Sequence, residues 1–142
     1  MARLPAAFIC GARVTRWDPT SVTVRVRTRW INKNPFGSMY FAVQAMAAEL
    51  STGALVMQAI RDCGVPISML VTGLRAEYLK KATGHISFTC DDGDMINQQM
   101  AEVRKGVPLT FEMVSRGIDG AGDVVSIHTF TWSLKAKHPL NR

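Results

Sequence analysis

One carboxylate, Glu49, lies within the apolar stretch of residues 34–53, NPFGSMYFAVQAMAAELSTG. Its neighbours one helical turn away are small or apolar: Ala45, Met46 and Gly53. Burial beside such neighbours raises the pKa of a carboxyl group, and a raised pKa suits a residue that exchanges protons near neutral pH. The alternative is a structural ion pair across a dimer interface, for which Gln58 and Arg61 lie further along the chain.

The residues that precede this carboxylate predict a loop followed by a long helix. Asn34 precedes a proline and Gly37 follows it, which is typical of a tight loop, and Ser38 is a candidate N-cap. In such a loop, Asn34 could serve only to brace the turn. The pattern then predicts a helix over residues 39–61, ended by Gly64. Because this helix is apolar over most of its circumference, we expect it to be buried.

The remaining pattern predicts strands around this helix. Residues 21–29, SVTVRVRTR, alternate between valine and polar residues, which is typical of a half-buried strand. Strands are predicted over residues 7–17, 21–29, 67–79, 85–91, 107–117 and 123–135. A short helix is predicted within residues 91–106, capped by Asp91, Asp92 and Asp94. Long strands joined by short turns favour an antiparallel sheet that curls around the one long helix.

The composition limits the class of protein. A chain of 142 residues fits one domain over residues 1–142, and no apolar run is long enough to cross a membrane. The net charge is +6, but the basic residues form no block longer than a pair, so we expect no nucleic acid partner. The cysteines are odd in number and widely spaced, which indicates reduced thiols in a cytoplasmic protein: Cys10, Cys63 and Cys90.

The three histidines do not indicate a metal site. They lie on separate segments without metal-ligand spacing: His85, His128 and His138. Because His128 falls within a predicted strand, it is interpreted as a core or interface histidine rather than a catalytic one. We therefore expect no metal.

The order and spacing of these features resemble the hotdog-fold acyl-CoA thioesterases. The resemblance rests on Asn34, on Gly37 three residues later, and on Glu49 in the sequence Ala-Glu-Leu-Ser-Thr-Gly. A poorly characterised branch of that superfamily also has a strand that ends in Glu-Tyr-Leu-Lys-Lys-Ala, which matches residues 77–82. The resemblance covers most of the chain and includes the element order. It implies an α+β hotdog fold, in which an antiparallel sheet of about six strands wraps one long central helix, with a short helical insertion between late strands.

The resemblance also implies a chemistry, the hydrolysis of an acyl thioester. Glu49 would act as nucleophile or general base, and Asn34 would orient water or substrate. The backbone N–H of Phe41 would hold the developing oxyanion, with Tyr40 beside it, because amide groups at a helix start favour negative charge. Gly37 would let the loop approach the substrate. Coenzyme A would enter only as part of the substrate, and no cofactor is implied. Side chains available to line an acyl tunnel are Met39, Phe41, Met46 and Met57.

One departure from the family keeps alternatives open. Tyr40, Phe41 and Ala42 stand where thioesterases of the phenylacetyl-CoA type have a His-Gly-Gly trio. This departure favours an alternative function, a non-catalytic protein that binds acyl-CoA or a fatty acyl group. A hotdog dehydratase would need a catalytic histidine beside the helix acid, and the sequence places none near the helix start. The superfamily further implies a homodimer with the site between protomers, or a dimer of dimers.

Overall fold

A computed structural model describes residues 4–137 of the chain, which form three helices and six strands. In chain order these elements are α1 (Pro5–Ile9), β1 (Arg13–Trp17), β2 (Val22–Arg27), α2 (Phe41–Cys63), β3 (Ile67–Tyr78), β4 (His85–Cys90), α3 (Gly93–Arg104), β5 (Leu109–Ile118) and β6 (Val124–Ala136). The prediction for His138 lies outside the described residues.

The strands form one antiparallel sheet in the order β1-β2-β4-β5-β6-β3. Alternation in β2 buries Val22, Val24 and Val26 on one face, and the polar residues between them face outward. The helix α2 lies against this apolar face and contacts β2, β4, β5 and β6. The predicted α+β arrangement is confirmed, including the short helix α3 between β4 and β5.

The long helix α2 is buried along most of its length because its sheet-facing residues are small. Ala47 and Ala48 are fully buried, as are Ser51 and Thr52 one turn later. Gly64 ends the helix with a left-handed backbone (φ 71°), a conformation that glycine adopts without steric cost. The predicted C-terminal end of this helix is therefore confirmed to within two residues.

The N-terminal predictions were partly wrong. The helix α2 begins at Phe41 rather than at residue 39, and its N-cap position is Tyr40, not Ser38. Residues 7–17 were predicted as one strand, but only Arg13–Trp17 is a strand, and α1 occupies the segment before it. A proline in the first turn of α1 favours that helix, because proline lacks the N–H that a helix start leaves unpaired.

Of the three acidic residues predicted to cap α3, Asp94 lies in its first turn, but Asp91 and Asp92 do not cap it. Asp92 occupies the N-cap position without a side-chain capping bond. Its carboxylate instead accepts a hydrogen bond from the backbone N–H of Val114 on β5 (2.9 Å), and Asp91 accepts one from the Ser21 hydroxyl (2.7 Å). Both carboxylates are therefore bound to other segments of the chain instead of to the free amides of α3.

The strand β3 leaves one edge of the sheet open. It pairs with β6 on one side, and within the described part of the chain no strand pairs with its other side. Leu70 and Leu74 on this strand are exposed. Among residues 4–137, no helix is long and apolar enough to cross a membrane.

Candidate active site

A pocket of about 780 Å³ opens at the start of α2, and we call it the helix-start pocket. Its lining comes from residues 31–36, 38–41, 43–44 and 78–82. The loop before the helix and the chain after β3 therefore meet around the first turn of α2. The pocket brings together three residues that the sequence predicted for a site, Asn34, Tyr40 and Phe41. Gly37 is not part of its lining.

Asn34 uses its side chain to brace the loop. Its Oδ1 accepts hydrogen bonds from the backbone N–H of Phe36 (2.9 Å) and of Ser38 (3.3 Å), and its Nδ2 donates to the Ser38 hydroxyl (3.0 Å). Gly37 lies inside this turn with a positive φ of 82° and donates its N–H to the Asn34 carbonyl. A glycine is required there because other residues rarely adopt that backbone conformation.

The first turn of α2 carries free backbone donors, and its first residue, Phe41, lines this pocket. The Tyr40 N–H donates to the Asn32 carbonyl, and the Tyr40 carbonyl accepts from Val43 and Gln44. Within residues 4–137, the N–H groups of Phe41 and Ala42 have no hydrogen-bond partner, and no side chain caps the helix. Free amides at a helix N-terminus, supported by the helix dipole, are suited to bind a negatively charged oxygen.

Glu49 lines a second pocket, of about 740 Å³, which we call the Glu49 pocket. Its other lining residues are mostly apolar: Leu4, Val14, Trp17, Leu50, Gly53, Ala54, Met57, Arg61 and Met69. Glu49 is half-buried, and this burial raises the pKa of its carboxyl group. Among the described residues it forms no ion pair, although Arg61 shares the pocket.

The absence of a side chain at Gly53 leaves room for the Glu49 carboxylate. A Cβ atom at Gly53 would lie 3.4 Å from Glu49 Oε1 and 3.3 Å from Trp132 Cζ2. The indole N–H of Trp132 in turn donates to the hydroxyl of buried Thr52 (3.0 Å), and that hydroxyl donates to the Glu49 carbonyl (2.9 Å). These bonds therefore tie the helix turn that carries the acid to strand β6.

Within one chain, Glu49 and the helix start do not share a pocket. Glu49 follows Phe41 by eight residues, and at 1.5 Å per residue these positions are about 12 Å apart along the axis of α2. A carboxylate at that distance cannot contact a group held by the Phe41 N–H. The proposed tunnel residues are also separated: Met39 and Phe41 line the helix-start pocket, Met57 lines the Glu49 pocket, and Met46 lines neither.

Tyr78 and His128 meet beside the helix start, although the sequence predicted neither of them as a site residue. His128 is fully buried, which agrees with its interpretation as a core residue, but its Nε2 lies 3.0 Å from the Tyr78 hydroxyl. That hydroxyl also donates to the carbonyl of Phe41 (3.3 Å). These contacts link a histidine to the helix start, where the sequence placed none. The sequence did not show this because Tyr78 and His128 are distant in the chain and meet through the pairing of β3 with β6.

The charged groups around the helix-start pocket are mostly cations. Lys80 is held by Asp119 (2.6 Å) and Asp123 (2.8 Å), and these contacts raise its pKa. Lys33 and Lys81 also line the pocket, and neither forms an ion pair within the described residues. Over the same part of the chain, no group of three or more His, Cys, Asp or Glu side chains is placed to hold a metal ion.

Comparison with known proteins identifies the family and the fold. The family described as "Domain of unknown function (DUF4442)" matches residues 2–134. A Pseudomonas aeruginosa protein of unknown function, described as a probable thioesterase, has a similar structure, with a TM-score of 0.80 at 22% identity over 96% of this chain and 89% of that one. No curated protein sequence matches the chain.

Two further structures support the same fold. A Chlorobaculum tepidum protein of unknown function has a TM-score of 0.79 at 14% identity, over 96% of this chain and 89% of that one. A variant of a thioesterase enzyme from Staphylococcus aureus has a TM-score of 0.71 at 11% identity, over 95% and 99%. At such identities the similarity shows the fold alone, and it confirms the hotdog fold that the sequence predicted.

Proposed function

This chain belongs to the DUF4442 family, and we propose that it hydrolyses an acyl thioester with Glu49 as its catalytic carboxylate. The observation that carries the proposal is the state of Glu49. It is half-buried beside an apolar pocket, its pKa is raised by burial, and no cation neutralises it within residues 4–137. A carboxylate that only stabilised the fold would be expected to have a charged partner or full exposure to water.

In the proposed reaction, the Glu49 carboxylate acts on the thioester carbonyl carbon in one of two ways. As a general base it takes a proton from water, and the resulting hydroxide forms the new C–O bond. As a nucleophile it attacks directly, and water then hydrolyses the mixed anhydride. In both routes the C–S bond breaks, and the sulfur leaves as a thiolate that is protonated. A raised pKa that still leaves the carboxylate ionised at neutral pH suits either role.

The negative charge that develops on the carbonyl oxygen requires hydrogen-bond donors. The free N–H groups of Phe41 and Ala42 are suited to that task. Because they lie about 12 Å along α2 from Glu49, the donors must come from a second copy of the chain. The open edge of β3 is the surface we propose for that homodimer, which could pair further into a dimer of dimers.

The two pockets match the two ends of an acyl-CoA. The apolar lining of the Glu49 pocket, including Met57 and Met69, suits a flexible acyl chain. Lys33 and Lys81 in the helix-start pocket are suited to the phosphates of coenzyme A. Coenzyme A would be part of the substrate rather than a bound cofactor, and we place the reaction in the cytoplasm.

A panel of acyl-CoA esters from acetyl to palmitoyl tests this function, with free-thiol release as the readout. The matched variant is Glu49→Gln, which keeps the shape of the side chain and removes its charge. We expect the native protein to release thiol from at least one ester and the variant to release at least about 100-fold less. Equal rates for the two proteins would contradict a catalytic role for Glu49.

The second candidate is a non-catalytic protein that binds acyl-CoA or a fatty acyl group. The separation of Glu49 from the helix-start donors within one chain favours it, because a lone protomer then has no complete hydrolytic site. If this candidate is correct, calorimetry with the same esters will show binding without thiol release, and Glu49→Gln will bind them as tightly as the native protein.

A further inference from the structure

Tyr78 lies between a buried imidazole and an open pocket. Its hydroxyl oxygen is 3.0 Å from Nε2 of His128, whose side chain is fully buried, and 3.3 Å from the Phe41 carbonyl oxygen. Tyr78 itself is 43% exposed and lines the helix-start pocket. The rings of Phe41 and His128 contact the Tyr78 ring edge-on, at centroid distances of 6.0 and 5.3 Å. The hydroxyl is therefore held from two sides.

The hydroxyl has one proton and two possible acceptors for it, Nε2 of His128 and the Phe41 carbonyl. The tautomer of His128 therefore decides where the hydroxyl proton points. Phe88 and Phe130 pack against the imidazole, and among residues 4–137 its Nδ1 has no hydrogen-bond partner. A proton on Nδ1 would be a buried donor without an acceptor, which is costly. The proton therefore belongs on Nε2, where it is donated to the Tyr78 oxygen.

With His128 as the donor, the Tyr78 proton is free to point elsewhere. Its acceptor in this structure is the Phe41 carbonyl, at the long distance of 3.3 Å. That carbonyl lies in the first turn of α2, where it also accepts the N–H of residue 45 in the helix pattern. A ligand oxygen in the pocket can replace this weak bond without leaving the carbonyl unpaired.

We propose that Tyr78 is a ligand-contacting residue of the helix-start pocket, which donates its hydroxyl proton to the acyl carbonyl oxygen, and that His128 is the positioning residue that directs this proton. The proposal rests on the proposed function, because it takes an acyl thioester as the ligand. Burial keeps both groups in the required forms at neutral pH: it raises the pKa of Tyr78 and lowers that of His128 to about 4.

The first test measures binding rather than hydrolysis, so that it does not depend on turnover. Its probe is 2-oxodecyl-coenzyme A, a ketone in which a CH2 group separates the carbonyl from sulfur, and its control is S-decyl-coenzyme A, which lacks the carbonyl. We expect Tyr78→Phe to weaken calorimetric binding of the ketone by about 3- to 10-fold, the effect of one neutral hydrogen bond. Binding of the control should be unchanged.

The second test separates positioning from structural support. His128→Leu should weaken ketone binding as much as Tyr78→Phe does, and the double variant should be no weaker than Tyr78→Phe alone. His128→Gln, which keeps a donor near the Nε2 position, should restore part of the affinity. Imidazole nitrogen shifts in the native protein should show the Nε2–H tautomer of His128.

Three results would overturn this inference: equal binding of the ketone by native and Tyr78→Phe protein, no ketone binding at all, or an Nδ1–H tautomer. A protein that shows the expected ketone difference but hydrolyses none of the thioesters would refute the proposed hydrolysis and leave the role of Tyr78 standing. The two proposals therefore fail separately.

Discussion

Complementation between two inactive variants tests whether the proposed site is shared between protomers. The first variant is Phe41→Pro, which removes the N–H of Phe41. Phe41 is the first residue of α2, where proline is well tolerated, and Tyr40 before it already has the extended backbone that precedes proline (φ −60°, ψ 132°). The second variant is Glu49→Gln. Neither change removes a hydrogen bond or ion pair that the structure shows for these groups.

The distance along α2 sets the expected magnitude. Since Phe41 and Glu49 are about 12 Å apart along the helix, each site would combine Glu49 of one chain with Phe41 of the other. Each homodimer variant would then have two damaged sites and lose about 100-fold or more in kcat. A heterodimer of the two variants would have one doubly damaged site and one intact site, so we expect about half of the native activity.

The assay uses two chains with different affinity tags, expressed together and purified through both tags in sequence. Thiol release from the best acyl-CoA ester is then measured for the native dimer, both homodimers and the heterodimer. Phe41→Ala is the control for the lost aromatic side chain, because it keeps the N–H, and it should retain far more activity than Phe41→Pro.

Activity of the heterodimer no greater than that of the two homodimers would refute the shared site. The same holds for a protein that is active as a monomer at assay concentration. Either result would mean that each site is built within one chain, where Phe41 is too far along α2 to act directly beside Glu49, so another group would have to stabilise the oxyanion.

The remaining predictions concern stability. Burial raises the pKa of Glu49, so the stability that this side chain contributes is present at low pH and is lost as the pH rises through that raised pKa. Glu49→Gln should therefore increase the free energy of unfolding at pH 7, and less at pH 4, measured by urea denaturation. Burial lowers the pKa of His128 from 6.5 to about 4, so the free energy of unfolding should fall by about 3 kcal/mol as the pH falls from above 6.5 towards 4. This pH-dependent loss of stability should be smaller in His128→Gln. Equal losses in the two proteins would contradict the prediction. Thr52→Val should cost about 1–3 kcal/mol, because it leaves the buried Trp132 N–H without an acceptor, whereas Thr52→Ser should cost less.

The sequence predicted those parts of the fold that depend on local pattern. Alternating valines predicted β2, and Gly64 predicted the end of α2. The backbone at Gly64 is left-handed, a conformation that most other residues rarely adopt. The predictions that failed were the first part of the strand over residues 7–17, where α1 lies, and the side-chain partners at two helix starts. Ser38 pairs with Asn34 instead of capping α2, and Asp92 pairs with a strand amide instead of capping α3. For Asp92, local spacing cannot show a partner that lies on a distant strand, whereas Ser38 has two competing partners within the same loop.

The sequence alone determined which local groups are available for the proposed chemistry. A lone carboxylate among small apolar neighbours is such a local property, and the structure shows it half-buried beside an apolar pocket. Only the tertiary structure decided how these groups meet. It placed Glu49 and Phe41 in separate pockets because a straight helix separates them, and it joined His128 to Tyr78 because the pairing of β3 with β6 brings together residues fifty positions apart.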